Sequence, residues 1–184
     1  MRPLSRLVAL VAMATCALFE VSSATQIRYQ SVEQLGARST VVVSGTVTGS
    51  RSYWNDTHTK IFTETQISVD DAYKGTRPAS VSILQLGGVV DGVRVTVSGA
   101  LHWRDGEEVL LFLEPYANGS YQVSGFSQGK FQVERDPDTG ERFIRRPELK
   151  GAEILGAPDA NGMTVTSRVD KVALDKFVQR ALGK

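Results

Sequence analysis

Cysteine is almost missing from this chain: the single residue, Cys16, lies within the first 24 positions and none follows. Beyond that point thiolate metal sites, cysteine nucleophiles and internal disulfides are excluded, so a fold there must be held by packing. Histidine is nearly as scarce, and His58 and His102 stand too far apart for a paired metal-ligand motif. A surplus of one charge is missing too, since 21 basic and 20 acidic residues leave a formal charge of +1. That balance removes the electrostatic case for nucleic-acid binding, which needs a basic surface to neutralise phosphates. Apolar runs are short, and none reaches the roughly 20 residues of a membrane helix, so no stable membrane span is expected.

The longest apolar run, Leu7 to Phe19 broken by Thr15, follows Arg2 and Arg6 and precedes Ser22, Ser23 and Ala24. This order of basic, apolar and small residues predicts a signal peptide over 1–24, cut after Ala24, and an exported product in the periplasm or outside the cell. A rival reading makes Cys16 a lipid-bearing residue, but Thr15 stands before it where a small residue is expected. Loss of 1–24 takes Arg2, Arg6 and Glu20 and leaves basic and acidic residues equal in number. Residues 25–184 have the usual length of one domain with a real core.

What is present is β-patterning. Val41, Val43 and Val47 alternate with Ser44, Thr46 and Thr48, which predicts a half-buried strand with a bend at Gly45. Lys60 to Asp70 reads as a second long strand. Val81 to Leu86 begins in one alternation and ends in the other, predicting a bulge that reverses the faces. Val93, Val95 and Val97 predict a fourth strand, and the unbroken run Val109 to Leu113 a fifth, covered on both faces. Tyr121–Ser124 and Lys130–Glu134 follow, joined by a Gly125–Gly129 turn, and a short strand near Phe143 returns across Asp136–Gly140. Ser31 with Gln34 predicts a short capped helix before the strands. A second helix is expected over 168–182, with Val172, Phe177, Val178 and Ala181 as its apolar stripe, after an irregular crossing from Pro147 to Gly162. The fold class expected is mainly β, one domain over 25–184, with both helices packed on the strands.

Candidate chemistry is sparse. Gly125-Phe126-Ser127-Gln128-Gly129 matches the pattern of a nucleophile elbow, which needs a strand before and a helix after. The alternation of Phe131 and Val133 makes the following segment a strand, and both histidines precede Ser127, against the order of that fold family. His102 and Trp103 near Asp105, Glu107 and Glu108 suggest a metal or acid–base cluster, or simply a loop rim. Asp136, Asp138 and Gly140 have the spacing of part of a calcium loop, without its later acidic ligands. Tyr53, Trp54 and His58 cluster after the first strand, where exposed rings either pack on the fold or meet a partner. No cofactor is implied.

Three landmarks, Thr40 to Val47, then Tyr73-Lys74-Gly75 after Val69, then Gly106 to Leu113, resemble in order and spacing the netrin-like modules of tissue inhibitors of metalloproteinases and a set of exported bacterial proteins. The resemblance covers about residues 35 to 125 and implies an OB-like antiparallel β-barrel with flanking helices. The inhibitors act through an N-terminal cysteine on the catalytic zinc, whereas cleavage here would expose Thr25, so that mechanism and the family's disulfides do not carry over. The function expected is a non-enzymatic exported binding module whose partner is a secreted protein, a peptidase being the narrower guess. Its partner-binding candidates are Tyr53, Trp54, His58, His102 and Trp103. The alternatives are a barrel holding a small apolar ligand and, least favoured, a serine hydrolase using Ser127.

Overall fold

Ser31 does cap a helix. Its hydroxyl accepts the Gln34 N–H at 3.2 Å, and Gln34 Oε1 accepts the Ser31 N–H at 2.9 Å, which satisfies two of the donors a helix start leaves open. This is α1 (Val32–Arg38). The computed structural model describes residues 25–145, 152–155 and 172–184. The predicted signal segment, with Cys16, and most of the predicted crossing from Pro147 to Gly162 lie outside the described residues.

Strands follow in the order β1 (Thr25–Arg28), β2 (Val41–Trp54), β3 (Ile61–Lys74), β4 (Ser80–Leu86), β5 (Gly88–Val90), β6 (Val93–Val95), β7 (Glu108–Pro115), β8 (Tyr121–Val123), β9 (Lys130–Arg135), β10 (Arg142–Arg145), β11 (Ala152–Leu155) and β12 (Val172–Ala173), and α2 (Leu174–Leu182) ends the chain. The fold is mainly β, with one large sheet and two helices. That sheet runs β12-β10-β9-β7-β2-β3-β4-β8, and β7 also pairs with β8. The pairings therefore return on themselves, from β2 through β3, β4, β8 and β7 to β2.

The unbroken apolar run in β7 has the expected cause. Val109, Leu111 and Leu113 enter one buried cluster with Val43, Val47, Ile67, Val81 and Ile83, while Leu110 and Phe112 enter a second with Val42, Phe131, Val133 and Ile144. Both faces are covered, so alternation gives no advantage. Each such fully buried side chain contributes roughly 1.5–3 kcal/mol of transfer free energy. The second cluster is closed by Leu35 of α1 and by Leu174, Val178 and Ala181 of α2, with Phe177 edge-on to Phe131 at 4.7 Å between centroids. The helices cross at Gly36, where a β-carbon would stand 1.9 Å from the Ala181 carbonyl oxygen.

Several local expectations are corrected. The change of phase in Val81–Leu86 is not a bulge, because β3–β4 pairing runs without a shift from Ser68↔Ser80 to Phe62↔Leu86. Leu84 and Leu86 instead share the face of Glu64 and Phe62, opposite to buried Val81 and Ile83. The strand predicted from Val93 to Val97 forms over Val93–Val95 as β6, but it pairs only with β5, in a separate hairpin over a left-handed Asp91-Gly92 turn, and Val93 is exposed. Gly125–Gly129 joins no hairpin. Both β8 and β9 pair with the same edge of β7, and the Phe112 carbonyl and N–H bond to Ser124 N–H and Gly129 carbonyl at the two ends of the excursion between them. The final helix begins at Leu174, since Val172 and Ala173 pair with β10 as β12. Val172 therefore leaves the predicted stripe and Leu174 takes its place, while 168–171 lie outside the described residues.

Candidate functional site

The long β2–β3 hairpin carries Tyr53 and Trp54 as the last residues of β2, rather than in a loop. Asn55 builds the turn. Its Oδ1 accepts the Thr59 and Lys60 N–H groups at 2.8 Å each, and its Nδ2 donates to the Thr57 hydroxyl at 2.8 Å. The Asn55 carbonyl takes the His58 N–H at 2.8 Å, and His58 adopts a left-handed φ of 53°. The imidazole then lies stacked beside the Trp54 ring at 6.2 Å. Tyr53 receives the Arg51 guanidinium over its ring at 5.5 Å, and Glu64 fixes Arg51 through bonds of 2.9 and 2.7 Å. The Ser82 hydroxyl, more than Arg51, holds the Glu64 carboxyl below its ordinary value. The structure thus brings Tyr53, Trp54 and His58 together at one tip.

A neighbour of that tip is not apparent from the sequence pattern. Tyr53 pairs with Phe62, and Phe62 with Leu86, so three apolar side chains cross three strands on the face opposite to buried Ile61, Ile67 and Ile83. Leu86 is 41% exposed, and Val89 and Val93 of the adjoining hairpin are exposed as well. The second phase of Val81–Leu86 was the available signal.

His102 and Trp103 stand on a different structure. Lys130, only 2% exposed, donates to the His102 carbonyl at 2.6 Å and to Glu107 Oε2 at 2.8 Å, and sits 4.4 Å from the centroid of the Trp103 ring. Burial pushes its pKa down, against the opposing pull of Glu107. The Trp103 indole N–H donates to Gln85 Oε1 at 3.0 Å, and Gln85 Nε2 donates to the Leu101 carbonyl at 3.1 Å. The predicted metal or acid–base cluster does not assemble. Glu107 serves Lys130, Glu108 is paired with Arg135 at 2.6 Å, and no group of three or more potential ligands gathers among the described residues. Asp136 Oδ1 accepts the N–H groups of Asp138 and Thr139, which makes its segment an ordinary polar turn.

Ser127 lacks the elbow's setting, because β9 and not a helix follows it. Among the described residues its buried hydroxyl has no hydrogen-bond partner. The neighbouring Gln128 fastens the N-terminal segment, since its side chain accepts the Gln30 N–H at 2.9 Å and donates to the Arg28 carbonyl at 2.8 Å. Beside this loop, between β4 and β8, opens a mainly apolar cleft of about 460 Å³, on whose edge Phe126 is 48% exposed with a left-handed φ of 70°. Among the described residues no helix is long and apolar enough to cross a membrane. No family model matches the chain, and no curated protein matches it.

Proposed function

We propose that this chain is a non-enzymatic binding module, exported after loss of residues 1–24, that engages a protein partner through the β2–β3 tip and the apolar row beside it. The observation that carries this reading is the row Tyr53, Phe62 and Leu86 across one face, half-buried or exposed, with Trp54 on the other face of the same tip, at the end of a hairpin whose turn is locked by Asn55. A rigid aromatic anchor loses little freedom on binding, which is why such residues dominate interface energetics. The returning circuit β2–β3–β4–β8–β7 supports a five-stranded OB-like barrel, with β9, β10 and β12 continuing the sheet beyond it. A secreted peptidase as the partner rests on the netrin-like resemblance and is the narrower part of the proposal.

The test is a crosslinked pull-down from the native exported fraction, with residues 25–184 tagged at the C-terminus. The wild type and a Tyr53→Ala, Trp54→Ala double variant are compared at equal melting temperature. Loss of anchors of this type costs about 2 kcal/mol or more, which is roughly thirtyfold in affinity. Retention of the same proteins in the same amounts by the variant would refute the assignment to the tip.

A further inference from the structure

The cleft between β4 and β8 is a second candidate site, which shares Leu86 with the apolar row but includes none of Tyr53, Trp54 and His58, and three kinds of observation meet there. The two strands run parallel but share the single pair Ile83↔Tyr121. The cleft is lined by Leu84 and Leu86 of β4 and by Val123 of β8, so two strands border an apolar space that neither fills. Its polar groups are incompletely used. Among the described residues the buried atoms Gln30 Oε1 and Ser127 Oγ have no hydrogen-bond partner, and Glu114 Oε1 has none beyond its ion pair with Arg38 Nε. Gln30 and Glu114 line this cleft, and Ser127 follows Phe126 on its edge. Its charges are unbalanced as well. Arg38 and Glu114 pair with each other at 3.4 Å, whereas Arg28 makes no ion pair among the described residues.

We propose that this cleft receives an extended, apolar peptide segment of a partner protein, with a carboxylate at the end that meets Arg28. Apolar walls take the side chains, and bordering strands suit an added strand, the mode in which main-chain bonds give affinity and pockets give specificity. The unpartnered amide oxygen of Gln30 requires an N–H donor, because burying it unpaired is costly. A peptide backbone supplies such donors and an acyl chain has none. The uncompensated guanidinium matches a carboxylate, with which it forms its strongest bonds. Phe126, kept out of the core on a backbone that disfavours it, is placed to cover the occupant.

The proposal is tested on residues 25–184 by fluorescence anisotropy with a fluorescein-labelled hexapeptide, Val-Thr-Val-Leu-Val-Val, as the free acid and as the C-terminal amide, and with lauric acid as competitor. Saturable binding of the free acid is expected, weakened about tenfold by Arg28→Gln, with no such loss for the amide. Phe126→Asn should weaken both peptides; asparagine accepts the left-handed backbone, so an unchanged melting curve verifies the fold. The Tyr53→Ala, Trp54→Ala variant should bind both peptides like the wild type, whatever becomes of the tip. Absence of saturable binding up to millimolar peptide would overturn the proposal. So would equal losses for acid and amide in Arg28→Gln, a loss in the tip variant, or binding of lauric acid where the peptides fail.

Discussion

Lys130→Met takes a buried ammonium away from three groups at once: the Glu107 carboxylate, the His102 carbonyl and the Trp103 ring. The side chains of Lys130 and Glu107 are only 2% and 10% exposed, so water cannot replace the lost partner. Breaking a buried pair from one side costs about 3–5 kcal/mol, because the remaining charge is stranded. For a domain of this size, at roughly 2–4 °C per kcal/mol, the melting temperature should fall by about 10 °C. The double variant Lys130→Met, Glu107→Leu removes both charges and should return to within about 1 kcal/mol of the wild type. Urea unfolding followed by tryptophan fluorescence and circular dichroism measures all three proteins. A pH series adds a sign. Burial holds the folded Lys130 below its ordinary value of 10.5, so between the two values the unfolded chain binds more protons. The wild type should therefore gain stability relative to the double variant as pH rises through that window. A single variant losing under about 1 kcal/mol, or a double variant no better than the single, would refute the buried-pair reasoning.

Two further outcomes follow from local geometry. Gly88 has a φ of 143°, and a β-carbon there would lie 2.4 Å from Ser52 Oγ and 2.5 Å from Thr63 Oγ1, so Gly88→Ala should destabilise by about 1–3 kcal/mol; an unchanged thermal melt would contradict the packing of β5 on β2 and β3. Glu33 joins α1 to α2 through Arg180 at 2.7 Å, and its pKa is lowered to about 2, first by the Ser31 hydroxyl and then by Arg180. Its contribution is full above the ordinary carboxylate value and is lost as pH falls toward 2, so wild type and Glu33→Gln should differ in melting temperature at pH 6 and converge near pH 2. A constant difference across that range would show that Glu33 stabilises through something other than its charge.

The cap at Ser31 was legible because its partners lie three residues apart. The burial of both faces of β7 was legible because five apolar residues in a row leave no solvent face. The tip residues were visible as a cluster, although β2 continues six residues beyond the predicted end, through Gly49 to Trp54, and lifts Tyr53 and Trp54 out of a loop and onto a strand. The hydroxyl pairs Ser50–Thr65 and Ser52–Thr63 line this extension, and their polar alternation concealed it as loop sequence.

Three features depended on partners distant along the chain. Lys130 reads as an ordinary charged residue beginning a strand until the segment carrying His102, Trp103 and Glu107 folds over it. Leu84 and Leu86 read as a reversal of faces until the uninterrupted register with β3 aligns them with Glu64 and Phe62 on the opposite face. The Gly125–Gly129 segment reads as a hairpin until β8 and β9 are found on one edge of β7. Local sequence determined where strands and the first helix form and which residues alternate, because φ/ψ preference and side-chain period act over a few residues. Only the tertiary structure decided which edges meet, and with them the buried lysine, the apolar row and the cleft, because strand pairing is a long-range choice that no single segment encodes.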